Sequence, residues 1–99
     1  MSMVADNVCV LGDCAAAPIW IIADHAGAVL PDGVDLGVPP SAMKTHIAAD
    51  WGVAEVTQAL CQTAAFAAIL GRYSRLLVDL NRDRDDPAAI PVVSDGVAI

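Results

Sequence analysis

Apolar residues gather in short runs broken by polar, Gly- and Pro-marked stretches. Val8 to Leu11 reads as a short strand and Gly12-Asp13 as a turn. Pro18 to Ala23 (PIWIIA) is continuously apolar and β-branched, the pattern of a strand in a sheet covered on both faces. Ala67 to Leu70 reads as another strand, with Gly71 marking a bulge or bend. Leu76 to Leu80, apolar apart from Asp79, reads as a buried strand. Between the strands the period changes. From His46 to Ala65 the positions Ala49, Val53, Val56, Leu60 and Ala64 fall on one helical face, with Glu55, Gln58 and Gln62 opposite and Thr45 as N-cap.

The remaining stretches carry turn signals. Residues 28–45 form a long connection marked by Leu30-Pro31-Asp32-Gly33 and Pro39-Pro40-Ser41, and connections of this length are often functional. Residues 1–7 read as a loose end, Asp83-Arg84-Asp85-Asp86-Pro87 as a solvated loop, and Ser94-Asp95-Gly96 as a turn. The order β, loop, α, β, β predicts one α/β domain over residues 1–99. Its sheet is parallel or mixed with few helices to cover it, which makes the domain incomplete. A sheet cut short exposes an edge, and self-association through that edge is the expectation.

Composition narrows the functional classes. The chain of 99 residues is 57% hydrophobic, too apolar for disorder. A net charge of -7 argues against nucleic acid or an anionic membrane as partner. No secretory n-region precedes the first apolar run, and the run Ala15 to Ala23 is far below the roughly 20 residues a membrane helix needs. Cys9, Cys14 and Cys61 make an odd count without a CxxC, which favours reduced thiols and a cytoplasmic location, although Cys9 and Cys14 could meet across a turn.

The charge is uneven, and this locates the candidate chemistry. Residues 1–71 contain seven acids and one base, a net of -6, whereas residues 72–99 contain five acids and four arginines, a net of -1. Arg72, Arg75, Arg82 and Arg84 thus crowd the two ends of the Leu76–Leu80 run. Arginine at the end of a buried strand is placed to fork onto a carboxylate, and open α/β sheets bind ligands outside the carboxyl ends of their strands. A small anionic substrate is the expected ligand. The competing reading is internal pairing with Asp79, Asp83, Asp85 and Asp86. Asp24-His25-Ala26-Gly27 follows the Pro18–Ala23 strand at the same kind of position, and local pairing of His25 with Asp24 is its alternative. His46 and Asp50 are four apart on the expected helix, a metal-ligand spacing and also an ordinary ion-pair spacing.

Taken together, Asp24-His25-Ala26-Gly27, His46-Ile47-Ala48-Ala49-Asp50, Arg72-Tyr73-Ser74-Arg75, Val78-Asp79-Leu80-Asn81-Arg82 and Val93-Ser94-Asp95-Gly96 resemble, in order and spacing, the N-formylglutamate amidohydrolase family. The likeness runs from Pro18 onward, and the chain looks like the N-terminal portion of that family. The resemblance implies a three-layer α/β/α zinc-peptidase-like fold of the phosphorylase/hydrolase-like kind. It also implies a zinc-dependent amidohydrolase that cleaves N-formyl-L-glutamate to formate and L-glutamate in histidine degradation. Asp-Leu-Asn-Arg looks like the Asn-Arg pair with which zinc carboxypeptidases grip a terminal carboxylate, whereas their His-x-x-Glu is absent because Ala28 follows His25 at that spacing.

Under this resemblance His25 is a metal ligand, Asp50 the second ligand, and His46 stands behind it. Arg75, Asn81 and Arg82 hold substrate carboxylates. Asp79 orients an arginine from behind, and no residue qualifies as the general base. Two rivals stand beside this reading. One is a truncated, inactive fragment that keeps the anion pocket, and the other is a small acidic interaction module.

Overall fold

A computed structural model describes residues 2–4 and 7–99. Four strands form one mixed sheet: β1 (Ser2–Val4), β2 (Val8–Leu11), β3 (Ile19–Ala23) and β4 (Phe66–Gly71), in the order β1-β2-β4-β3. β2 runs antiparallel to β1 and β4, and β3 runs parallel to β4 with Ile21 opposite Ala68. A parallel pair needs a crossover, and helix α1 (Val53–Thr63) supplies it. A small hairpin, β5 (Val93–Ser94) and β6 (Val97–Ala98), closes the chain, its turn carried by Asp95 and Gly96 at φ 48° and 80°. No helix among the described residues is long and apolar enough to cross a membrane.

Three strands stand where the pattern put them, and the differences have local causes. Ser2–Val4, expected to be loose, adds an edge strand. Met1, Ala5 and Asp6, from the same expected loose end, lie outside the described residues. Gly71 marks no bulge: it pairs in register with Val8. β3 is not buried on both faces. It is the sheet's other edge, with Trp20 54% and Ile22 70% exposed.

The helix begins at Val53, not His46, and Gly52 at φ 96° replaces Thr45 as its N-cap. Thr45 instead turns its hydroxyl back to the carbonyl of Ala42 at 2.7 Å and accepts the Trp51 indole N–H at 2.8 Å, which holds 45–51 in turns. The buried face is also different. Val53, Ala54, Thr57 and Cys61 meet the sheet at Ile21, Ala23, Ala68 and Leu70, whereas Val56 and Leu60 face outward. Both stripes have helical spacing, and the smaller side chains allow the closer approach.

Leu76 to Leu80 forms no strand. The Ser74 hydroxyl accepts the Leu76 N–H at 3.2 Å, and the Asp79 carboxylate accepts the Asn81 N–H at 3.0 Å. Side chains that capture nearby amides compete with a ladder, so the segment runs as turns. Leu76, 2% exposed, anchors it in a second apolar cluster with Ile47 and Ala48.

Beyond their ends β3 and β4 remain in contact. Val29 donates to the Arg72 carbonyl at 3.0 Å and forms a parallel bridge with Tyr73. Gly27 permits this, because a Cβ there would lie 2.3 Å from the Arg72 carbonyl oxygen. Gly27→Ala is therefore expected to cost about 2–3 kcal/mol, as backbone is forced apart. Urea unfolding measures it, and a change below about 0.5 kcal/mol would contradict the close packing.

Candidate functional site

The carboxyl ends of β3 and β4 point the same way, and the segments leaving them build one site. His25 follows β3 by two residues. Its carbonyl accepts the Asp50 N–H at 2.8 Å, which draws the 45–51 turns over the strand end. Ser74, fully buried, donates its hydroxyl to the Ala48 carbonyl at 2.8 Å and its N–H to Val29 at 2.9 Å. The segment after β4 is thereby tied to the same turns, and Arg75 arrives beside Asp50.

The side chains meet around Asp79. Its carboxylate is 5% exposed and lies 2.5 Å from His25 Nε2, 3.3 Å from an Arg75 Nη and 3.6 Å from Arg82 Nε. Its own N–H donates to the Ala89 carbonyl at 2.7 Å, which fixes it from behind. Burial pushes the Asp79 pKa up. The His25 hydrogen bond, the Asn81 N–H and the charges of His25 and Arg75 outweigh it and hold the carboxyl below the usual aspartate value.

On its other side His25 presents Nδ1 to Asp50 Oδ2 at 3.4 Å, and Arg75 reaches Asp50 Oδ1 at 3.6 Å. His25 and Asp50 line a cavity of about 270 Å³ together with the end of β3, Val53 and Thr57 of α1, and Asn81. A larger cavity, about 340 Å³, lies between Val29–Asp32 and Arg72–Tyr73 but touches neither His25 nor Asp50.

The expected site residues His25, Asp50, Arg75, Asp79, Asn81 and Arg82 are thus brought together. Asp79, expected to orient an arginine, contacts two and holds His25 as well. His25 pairs with Asp50 and Asp79 rather than with Asp24. Internal pairing, the competing expectation for the arginines, is also present: Arg82 stands 3.7 Å from Asp86, and Arg84, 96% exposed along its side chain, stands 4.0 Å from Asp85.

His46 is the correction. Neither it nor Asp50 is on the helix, which begins at Val53; His46 lies on the surface, 3.1 Å from Asp95 of the hairpin turn. Without the helical turn, the four-residue spacing no longer brings the two side chains together. Thr57 and Ser74 were not anticipated. A buried serine and a threonine on an apolar helix face carry no signal that separates them from ordinary packing.

The donor set suits a divalent metal of the zinc type in one respect. With zinc bonds of about 2.0–2.2 Å at tetrahedral angles, two ligand atoms stand roughly 3.3–3.5 Å apart. The 3.4 Å between His25 Nδ1 and Asp50 Oδ2 has that length. A ligating histidine ordinarily gives its other ring nitrogen to a carboxylate, the relation in which Asp79 stands to His25. Among the described residues no group of three or more His, Cys, Asp or Glu side chains is arranged to hold a metal ion. The three cysteines are free and lie elsewhere.

Comparison with known proteins bears on the fold and the family. A crystal structure of a gene product from Agrobacterium tumefaciens superposes with a TM-score of 0.85 at 31% identity. The match covers 96% of this chain and 38% of that one, so the chain spans well under half of its structural relative. Among curated proteins nothing matches. The family model for N-formylglutamate amidohydrolase matches residues 17–99, which include the ends of β3 and β4 and every residue around Asp79. The chain therefore belongs to the N-formylglutamate amidohydrolase family.

Proposed function

We propose that the chain carries the substrate-gripping half of a metal-dependent amidohydrolase acting on N-acylated acidic amino acids, with N-formyl-L-glutamate as the leading substrate. The observation that supports this best is the gathering of His25, Arg75 and Arg82 on one buried carboxylate beside an open cavity. Arg75, paired with Asp50 and Asp79, and Arg82, beside Asp79, bind the substrate carboxylates in this reading, and Asn81 joins them from the cavity wall. Asp79 keeps the two guanidinium groups apart and aimed, so that little rotamer freedom is lost on binding.

His25 and Asp50 hold zinc in this reading, and Asp79 orients His25. Bound zinc supplies water activation near neutral pH and polarisation of the acyl carbonyl. The three-layer α/β/α arrangement of the zinc-peptidase-like fold would add helices over Trp20 and Ile22, the sheet face opposite α1.

The reading is tested by incubating this chain, and a complete family member carrying the same segments, with zinc and N-formyl-L-glutamate and measuring formate. Release of formate by the complete protein is expected. Failure on formyl, acetyl and succinyl derivatives of both glutamate and aspartate sinks the reading. Arg82→Lys in the complete protein keeps the charge but loses the planar fork. It is expected to lower kcat/KM by roughly one to two decades. The melting temperature should hardly move, because Arg82 is 46% exposed along its side chain and its carboxylate contacts at 3.6 and 3.7 Å exceed hydrogen-bonding distance. A large stability loss with unchanged kinetics would reduce Arg82 to a structural ion pair.

A further inference from the structure

Thr57 lies on the sheet-facing side of α1, 4% exposed, and lines the cavity that also holds His25, Asp50 and Asn81. Among the described residues its hydroxyl has no hydrogen-bond partner. Thr63 on the same helix shows the usual alternative, closing onto the carbonyls of Ala59 at 3.0 Å and Leu60 at 3.4 Å. Yet among the described residues no fully buried side-chain oxygen or nitrogen is left without a partner. The Thr57 hydroxyl therefore opens onto the cavity. A polar group held in an otherwise apolar helix–sheet seam, beside Ile21, Ala23 and Val53, has no protein partner there and hydrogen-bonds to whatever fills the cavity.

The cavity wall decides what that something is. Asp24 and Asp50 offer acceptors, and both ring nitrogens of His25 already face carboxylates. A hydroxyl and the Asn81 carboxamide are the uncharged donors that remain. An acylamino acid brings one oxygen that carboxylates cannot satisfy, the acyl carbonyl oxygen.

We propose that Thr57 is a specificity-determining residue that donates its hydroxyl to the acyl oxygen of the bound substrate, inside a subsite walled by Ile21, Ala23 and Val53 that takes a small acyl group. The proposal rests on the functional reading above and adds the residue that separates an acylated amino acid from the free one. Once the acyl group is cleaved, L-glutamate has no acyl carbonyl oxygen to meet Thr57, so the same contact favours substrate over product.

The test is calorimetric titration of the protein with N-formyl-L-glutamate and, separately, with L-glutamate. It compares the unmodified chain, Thr57→Val and Thr57→Ser. Thr57→Val keeps the shape and removes the hydroxyl. It is expected to weaken N-formyl-L-glutamate binding about fivefold to tenfold and to leave L-glutamate unchanged. Thr57→Ser restores the binding. An equal loss for both ligands would make Thr57 a packing residue and overturn the proposal, as would unchanged binding of N-formyl-L-glutamate to Thr57→Val. If the unmodified chain binds neither ligand, the functional reading fails and this inference with it. Melting curves of the three proteins keep a folding defect distinct from a lost contact.

Discussion

Asp79→Ala is expected to lower the melting temperature by more than about 12 °C. The carboxylate accepts from His25 and Arg75, takes up the Asn81 N–H and lies beside Arg82. Removing one member of a buried ionic group leaves the others uncompensated, at a cost of about 3–5 kcal/mol. Arg82 is nearly half exposed and Arg75 partly so, and water screens their share. The low end, about 3 kcal/mol, is therefore expected, and each kcal/mol moves the melting temperature of a domain this size by roughly 4–8 °C.

The same residue sets the acid limb of stability. A carboxyl whose folded pKa lies below its unfolded value contributes stability above the unfolded value, and that contribution is lost as pH falls through the folded one. The Asp79 pKa is lowered from 3.8, so the unmodified chain should hold its melting temperature down to about pH 4 and lose it below. Asp79→Asn removes the titrating group, and its curve should be flatter over that range. Melting scans between about pH 2.5 and 7 measure both effects. An Asp79→Ala protein that melts with the unmodified chain at pH 7 would show that the group is held by packing alone.

If His25 and Asp50 hold zinc as proposed, His25→Ala is expected to weaken zinc binding by more than about 100-fold and, in a complete family member, to remove formate release. Loss of an outer carboxylate partner alone typically costs 10–100-fold in metal affinity, and a direct ligand costs more. His25 is well placed for the direct role, with Asp79 on one ring nitrogen and Asp50 at ligand-pair distance from the other. The substitution leaves Asp79 with Arg75, Arg82 and the Asn81 N–H, so the fold should survive and the zinc titration remains readable. Stoichiometric zinc retained by His25→Ala would refute the ligand role and leave His25 as a positioning partner of Asp79.

The strands were legible for a local reason. Pro18–Ala23 and Ala67–Leu70 are short apolar runs bounded by turn residues, and no competing hydrogen-bond partner lies within reach. The Ser94-Asp95-Gly96 turn was legible because few residues accept a left-handed backbone. The charge map was also readable, since arginines gathered against an acidic background need a carboxylate wherever the chain takes them. The motif order from His25 to Arg82 sufficed to place the chain in its family.

What only the tertiary structure decided depended on contacts across the sheet. Nothing near His25 indicates that its ring reaches Asp79, 54 residues away. That meeting requires parallel β3 and β4, the side-chain-free approach at Gly27 and the buried Ser74 clamp. The run Leu76–Leu80 has the composition of a strand, yet Ser74 and Asp79 take the amides a ladder would use. Helix α1 carries apolar residues on two sides, and its choice of face followed from the small side chains of Ala23 and Ala68 on the sheet below. That choice buried Thr57, because the side of a helix that lines a cavity is set by the surface it packs on, and that surface is assembled from strands distant in the chain.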